Sequence, residues 1–330
     1  LIAAKKILVI QTSFIGDVIL ATSVLELLHE SQPDARIDLV VKKGNETLFT
    51  EHPFVSKVWV WDKQKGKYNG LLQMGVAIRK QQYDLVINLH RFASSGLLTV
   101  FSGASHKAGY DKNPLRSFYQ HTVAHRLEGM HEIERNFEVV KPYVQATTPA
   151  APKLYPSLAH EARVEAYKQG PYRCIAPSSV WFTKQWPAEK WVALINRFAS
   201  NETIYLLGAP ADHAHNEGIR SASKHPNVQN LAGQLNLLES AALMKDAQMN
   251  YVNDSAPLHL CSAMDAPVRA IFCSTVPSFG FGPLSGNAKI IETPESLACR
   301  PCGLHGHAQC PKGHFKCAQN ISIEQVLTSS

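Results

Sequence analysis

Several absences narrow this sequence before any motif is read. No stretch of its 330 residues approaches the ~18 consecutive apolar residues that a membrane-spanning helix requires. The run Ile7-Leu8-Val9-Ile10 behind Lys5-Lys6 is shorter than a signal peptide's apolar centre of about 7–15 residues, so a soluble cytoplasmic chain is expected. The seven cysteines form no secreted disulfide framework: their number is odd, Cys174, Cys261 and Cys273 sit in apolar surroundings, and the rest crowd into 299–317. A G-x-G-x-x-G fingerprint and a Walker A loop are both missing, which removes the main support for a dehydrogenase. Charged residues make up only 18% against 45% hydrophobic, a globular balance that excludes disordered, collagen-like and small disulfide-stapled classes. Charge of one sign is only mildly short, with Lys+Arg 33 against Asp+Glu 27 and a formal +6. That excess suits an anionic ligand or surface and does not demand nucleic acid.

At roughly 150 residues per domain, the length suggests two domains, with boundaries expected at 1–150 and 151–330. Strands are predicted at Ile7-Leu8-Val9-Ile10, 37–41, 58–61 and 84–89, with helices over about 17–30 and 70–82 between them. The continuous apolar runs read as strands buried on both faces, and their alternation with helices means a mostly parallel sheet. The pattern restarts with strands at 173–177, 203–208, 228–231, 249–253 and 268–272, the last ending the series. Its helices are expected at about 188–199, 237–245 and 257–264. The Thr-, Ala- and Pro-rich segment 145–156 reads as a linker. The fold class is therefore α/β, two Rossmann-like doubly wound domains facing across a cleft, with ligands beyond the carboxyl ends of the strands.

Four stretches lie in loops that leave those strands. Thr12-Ser13-Phe14-Ile15-Gly16-Asp17 offers either an acid favoured by a helix N-terminus or a carboxylate serving as general base. Pro177-Ser178-Ser179 leads through Thr183-Lys184-Gln185-Trp186-Pro187; hydroxyls followed by a cation suit a diphosphate, whereas a polar loop capped by packed Trp is the plainer reading. Asn253-Asp254-Ser255-Ala256-Pro257 opens a helix, either as simple capping or as free N–H groups that hold an anion, with His259 one turn in. Gly208-Ala209-Pro210-Ala211-Asp212 supplies an acid for a ribose hydroxyl or a solvated loop residue.

Together these stretches resemble glycosyltransferase family nine, the heptosyltransferases of lipopolysaccharide core assembly. The resemblance rests on Ser-x-x-Gly-Asp at 13–17, Thr-Lys-x-Trp-Pro at 183–187, Asn-Asp-Ser-x-x-x-His at 253–259, and Ser274-Thr275-Val276-Pro277 before Gly282-Pro283. It covers about 5–326 in matching order. It implies a GT-B architecture with an N-terminal acceptor-binding domain and a C-terminal nucleotide-sugar-binding domain. The implied reaction is inverting transfer from a nucleotide-diphospho-heptose, usually ADP-heptose, to a lipid A-Kdo type core acceptor, without a catalytic cofactor. Asp17 then matches the general base and Lys184 the cation on the diphosphate, beside Ser178, Ser179 and Thr183. Asp254, Ser255, Ala256 and His259 match donor contacts, with Asp212 a looser match for the ribose. Many members carry Gly where this chain has Ala256. Ser13, Gly16, His90, Arg91 and Lys107 are expected on the acceptor side. Two rivals stay open: a GT-B enzyme using another nucleotide sugar, and a non-catalytic nucleotide- or glycan-binding protein of the same fold.

The tail holds Cys299-x-x-Cys302, Cys310 and Cys317, interleaved with His305, His307 and His314. Cys-x-x-Cys is half of a tetrahedral zinc site, but the second half lacks tight spacing, so structural zinc and reduced structural thiols remain alternatives. Basic residues of the first half (Lys42-Lys43, Lys57, Lys63-Gln64-Lys65, Lys67, Arg79-Lys80) would meet an anionic lipid-linked acceptor and the inner membrane surface, or else form a solvated face.

Overall fold

The structure, a computed structural model, describes residues 4–62 and 67–328. The chain divides into two compact units, Leu1–Tyr155 and Pro156–Ser330. Lys63, Gln64 and Lys65 of the basic run lie outside the described residues, as does the side chain of Lys67.

In the first unit β1 (Lys6–Gln11), α1 (Ile15–Ser31), β2 (Arg36–Lys42), β3 (Val55–Trp61), α2 (Lys67–Arg79) and β4 (Leu85–Asn88) are followed by α3 (Ala93–Phe101), β5 (His106–Tyr110), β6 (His121–Val123) and α4 (Glu132–Val140). The sheet order is β3-β2-β1-β4-β5-β6, with parallel pairing throughout. Ile7, Leu8, Val9 and Ile10 are wholly buried because β1 is central and covered on both faces. Each such side chain contributes roughly 1.5–3 kcal/mol of burial free energy. The chain turns one way from β1 to β2 and, later, the other way from β4 to β5. The carboxyl ends of β1 and β4 thus form the switch point where doubly wound sheets bind ligands.

The second unit repeats the winding. It runs through α5 (Leu158–Val164), β7 (Tyr172–Ala176), α6 (Ala188–Ile195), β8 (Thr203–Leu206), α7 (His213–Ala222), β9 (Val228–Asn230), α8 (Leu237–Lys245), β10 (Met249–Asn253), α9 (Ala256–Met264), β11 (Val268–Phe272), β12 (Ala288–Glu292), α10 (Lys316–Gln319) and α11 (Ile323–Thr328). Its parallel sheet is ordered β12-β11-β10-β7-β8-β9, so its switch point lies between β7 and β10. Trp186 and Trp191 meet edge to face at 5.0 Å in a core shared with Ile175, Tyr251 and Ile271.

Three expectations need correcting. The series of strands does not end at 268–272, because β12 pairs with β11 in register. The region after β4 holds two further strands and two helices where none was expected. The segment 145–156 is not a free linker: Gln145 N donates to Ser31 Oγ at 2.9 Å, Lys153 N to Thr22 Oγ1 at 2.8 Å, and Tyr155 Oη reaches both Glu26 carboxylate oxygens at 2.9 Å. All three partners lie on α1.

Candidate functional site

The switch point of the first unit gathers an acid, an imidazole and a guanidinium. Asp17 lies in the first turn of α1, after the loop Thr12-Ser13-Phe14. Burial pushes its carboxyl up to about 7, and the neighbouring Glu132 pushes the same way. Backbone N–H groups of Asp17 and Phe14, together with Arg91, pull against that rise. Ser13 is half-buried and Gly16 belongs to the same helical turn. Thr12 Oγ1 shares a hydrogen bond with His90 Nδ1 at 3.0 Å. The main-chain N–H of His90 is fixed by Asn88 Oδ1 at 2.9 Å, and Asn88 Nδ2 donates to Thr99 Oγ1 and Tyr119 Oη, each at 3.0 Å. Asn88, the last residue of β4, therefore sets the loop that carries His90 and Arg91.

Behind Asp17 lies a buried ion pair that the sequence reading missed. Glu132 and Arg135, one turn apart on α4, meet at 2.8 Å with side chains only 6% and 1% exposed. Burial raises the Glu132 carboxyl, and Arg135 and Arg91 oppose that rise. Arg135 Nη1 also donates to the carbonyls of Arg126, Leu127 and Met130, which fixes the loop leading into α4. The run His131-Glu132-Ile133-Glu134-Arg135-Asn136 carries a signal for this: Glu132, Arg135 and Asn136 share one helix face at i, i+3, i+4. Lys107 does not join the group. It is the second residue of β5, at that strand's amino-terminal end, and its Nζ donates to Ala104 O.

In the second unit the switch point gathers a cation and its counter-ion. Lys184 Nζ lies 2.6 Å from Asp254 Oδ2, and Thr275 Oγ1 donates to the same oxygen at 2.5 Å. Asn253 holds this arrangement in place: its Nδ2 donates to Pro177 O at 2.6 Å and its Oδ1 accepts from Trp186 N at 3.0 Å. One side chain thus spans the loop that bears Ser178, Ser179 and Lys184. Ser178 and Ser179 are half-buried, and Thr183 is almost fully buried. Ser255 is the N-cap of α9 but makes no side-chain capping bond, so Ala256 begins the helix with an uncapped amino end. His259, one turn on, is buried with its ring edge-on to Phe281 at 6.3 Å. Asp212 closes its own turn instead, its Oδ2 accepting from Ala209 N at 2.7 Å.

The tail folds onto these loops. Arg300 donates to the carbonyls of Cys273, Phe272 and Thr275 and pairs with Glu292 at 2.5 Å. His307 N donates to Thr183 Oγ1 at 2.7 Å, beside Lys184. Of the two alternatives for Cys299, Cys302, Cys310 and Cys317, structural zinc is not supported. Among the described residues no group of three or more Cys, His, Asp or Glu side chains converges as metal ligands. Cys302 Sγ instead donates to Cys299 O at 3.3 Å, and Cys299 Sγ lies 3.8 Å from His314 Nε2. The guanidinium of Arg300 and the main-chain bonds pin the tail.

Of the remaining basic residues, Lys43 is paired with Asp62 at 2.9 Å and Lys57 lies over the Trp59 ring at 3.5 Å. Among the described residues no helix is long and apolar enough to cross a membrane.

Two doubly wound parallel units, each with its polar groups at the strand switch point, make up the GT-B fold. Solved structures share it: a family 9 glycosyltransferase from Veillonella parvula matches with a TM-score of 0.85 at 22% identity, over 98% of this chain and 96% of that one. The Escherichia coli heptosyltransferase WaaC with ADP-2-deoxy-2-fluoro heptose matches at 0.73 and 19% identity, over 98% of each chain. Lipopolysaccharide heptosyltransferase 3 of Escherichia coli is 27% identical over 278 residues, 79% of this chain and 82% of its own length. The model of glycosyltransferase family 9 (heptosyltransferase) matches residues 71–309, and the chain belongs to that family. The matched span contains His90, Lys184 and Asp254; Asp17 precedes it.

Proposed function

We propose that this enzyme moves a heptose from ADP-heptose to the core of a lipid A-Kdo type acceptor with inversion, Asp17 serving as general base. What supports this reading is the family match over residues 71–309 and, for the base, a carboxyl in the first turn of α1, just beyond β1, that burial pushes up to about 7 with Arg91 within electrostatic reach. A base with such a proton affinity is ionised often enough to act and strong enough to take an alcohol proton. In the reaction the acceptor hydroxyl oxygen forms a bond to the anomeric carbon, the bond from that carbon to the diphosphate breaks, and the hydroxyl proton passes to Asp17. ADP leaves with the bonding electrons.

The second unit supports the donor half of the reading. Lys184, at 2.6 Å from Asp254, offers the positive charge that a departing diphosphate needs. The uncapped amino end of α9 adds N–H groups and a favourable dipole. The structure of the Escherichia coli heptosyltransferase WaaC with ADP-2-deoxy-2-fluoro heptose supports an ADP-heptose as donor. Asp254, paired with Lys184, also offers a carboxylate that can accept from a sugar hydroxyl.

The acceptor is proposed to be anionic and lipid-linked, with the enzyme working at the cytoplasmic face of the inner membrane. Residues 63–110 contain seven Lys or Arg and one acid, Asp84, whose carboxylate is already engaged by the Lys5 and Lys6 main-chain N–H groups at 2.8 and 2.9 Å. Leu72, Val76 and Phe101 are 56%, 50% and 41% exposed in the same stretch.

The test is incubation with labelled ADP-heptose and a panel of truncated core acceptors, with the product read by mass. ADP-glucose and UDP and GDP sugars serve as competing donors. We expect ADP-heptose to be turned over best, and Asp17→Asn to lose about 10²–10⁴-fold in kcat with ADP affinity near wild type. Near-normal kcat in Asp17→Asn with the true acceptor would refute the assigned base. Preferred turnover of another sugar would refute the donor.

A further inference from the structure

We propose that the Cys/His tail is a working part of the donor site: the turn at Gly306-His307 positions Thr183, and through it Lys184, for the diphosphate. The inference rests on the reading of Lys184 as the diphosphate cation and adds residues that neither spacing nor family likeness assigned.

The geometry is a two-sided clamp on the Lys184–Asp254 pair. On one side, Thr183 N donates to His307 O at 3.1 Å and His307 N donates to Thr183 Oγ1 at 2.7 Å. The same hydroxyl lies 3.2 Å from His307 O, to which it donates. Three hydrogen bonds therefore join one buried residue, adjacent in sequence to Lys184, to a segment more than a hundred residues away. On the other side, Cys302 N donates to Ser274 O at 2.8 Å and Arg300 Nη2 donates to Thr275 O at 2.7 Å. Thr275 is the residue whose hydroxyl holds Asp254. The tail thus fixes both the cation's neighbour and the counter-ion's partner.

Gly306 explains how the chain comes so close. Its φ is +78°, and a Cβ there would stand 2.7 Å from Thr183 Oγ1, 3.0 Å from Ser274 Oγ and 3.2 Å from Lys184 Cγ. A Cβ at the first of these distances forces something to move, and what lies in the way is the site itself. Two other tail glycines provide a contrast. Gly303 and Gly313 have φ of +65° and +72°, yet a Cβ on either meets nothing within 4 Å. All three share the left-handed backbone; only Gly306 presses on the donor loop. A tail serving overall stability alone would not need this contact at this place.

The contrast gives the experiment. ADP affinity is measured by calorimetry, and melting temperature alongside it, for wild type, Lys184→Ala, Gly306→Ala, Gly303→Ala and Gly313→Ala. We expect Gly306→Ala to weaken ADP binding by roughly 10- to 100-fold, as misplacement of a positioned group by about an ångström does. Gly303→Ala and Gly313→Ala should lose comparable thermal stability and stay within about two-fold of wild type in affinity. Thr183→Val and Thr183→Ser keep the test open if Gly306→Ala does not fold. The valine should weaken ADP binding while the serine, which keeps the hydroxyl, retains it. ADP affinity in Gly306→Ala or Thr183→Val equal to that of the two control glycines would overturn the inference with the donor reading intact. Wild-type protein that does not bind ADP, or Lys184→Ala that binds it fully, would overturn the donor reading and the inference with it.

Discussion

At the scale of single residues, the proposed chemistry turns on the proton affinity of Asp17. Its carboxyl sits at about 7 against an ordinary 3.8, first because it is buried and second because Glu132 stands near. The sign of the linkage follows. Between the ordinary value and about 7, the folded protein holds a proton that the unfolded chain has released, so this group makes the protein less stable as pH rises through that window. Asp17→Asn abolishes the dependence, and its melting temperature should exceed that of wild type more at pH 8 than at pH 5. Activity moves the opposite way, because only the ionised carboxylate is a base: kcat should climb with pH and level off above about 7. Glu132→Gln removes the like charge, so the rising limb should shift to lower pH. The same substitution breaks a buried pair with Arg135 and leaves that cation uncompensated, at a stability cost of about 3–5 kcal/mol. A pH–rate profile and a melt on the same preparation separate the two effects. An unmoved limb would mean that burial alone sets Asp17.

At the scale of elements, much of the architecture was readable because central parallel strands, buried on both faces, are largely apolar. β1, β2, β10 and β11 announce themselves as short runs of Ile, Leu and Val or as strands flanked by helix signals. The proposed site residues Asp17, Lys184 and Asp254 were legible for the same reason, since each follows such a strand in the chain. What stayed hidden lacks a local signature. β5, His106-Lys107-Ala108-Gly109-Tyr110, carries almost no apolar periodicity, and its place is set by pairing with β4. α4 buries Glu132 and Arg135, which hydrophobic patterning reads as a solvent face. The clasp of Thr275 on Asp254 and of His307 on Thr183 joins segments far apart in the chain, so no spacing rule reaches them. The Cys-x-x-Cys motif left zinc and reduced thiols open for a related reason: ligand spacing along the chain does not fix how the sulfurs are arranged in space. Asn253 tests how far the donor site depends on its elements. It holds the loop after β7 at both ends, so Asn253→Ala leaves a buried N–H and a carbonyl unpaired. A loss of about 1–3 kcal/mol is expected in denaturant unfolding, together with weaker ADP binding. A variant that loses stability but keeps full ADP affinity would show the loop to be held by the Trp186–Trp191 packing instead.

At the scale of the whole molecule, the surplus of positive charge is unevenly spread, and that unevenness has a physical consequence. Leu72 and Val76 stand one turn apart on α2, so they share a face. A Cβ on Gly75 would touch the Phe101 ring at 3.4 Å, and Arg79 Nη1 donates to Phe101 O at 3.5 Å. Exposed Leu72 and Val76 on α2 thus stand beside the point where Gly75 and Arg79 of the same helix meet Phe101, with Lys80 following Arg79 in the chain. An apolar face fringed with cations is suited to the headgroup region of an anionic bilayer, where each Lys or Arg near the surface adds about 1 kcal/mol and salt screens the gain. Co-sedimentation with vesicles containing phosphatidylglycerol should show binding that falls as salt rises, and little binding to neutral phosphatidylcholine. The double variant Leu72→Asp, Val76→Asp should lose vesicle binding. It should also show a raised KM for an acceptor embedded in vesicles and an unchanged KM for a water-soluble core fragment. Two exposed side chains contribute little to the core, so its melting temperature should stay within a few degrees of wild type. A raised KM for the soluble fragment as well would place this face in acceptor-sugar recognition and not at the membrane, because only a lipid-facing surface distinguishes the two forms of the same sugar.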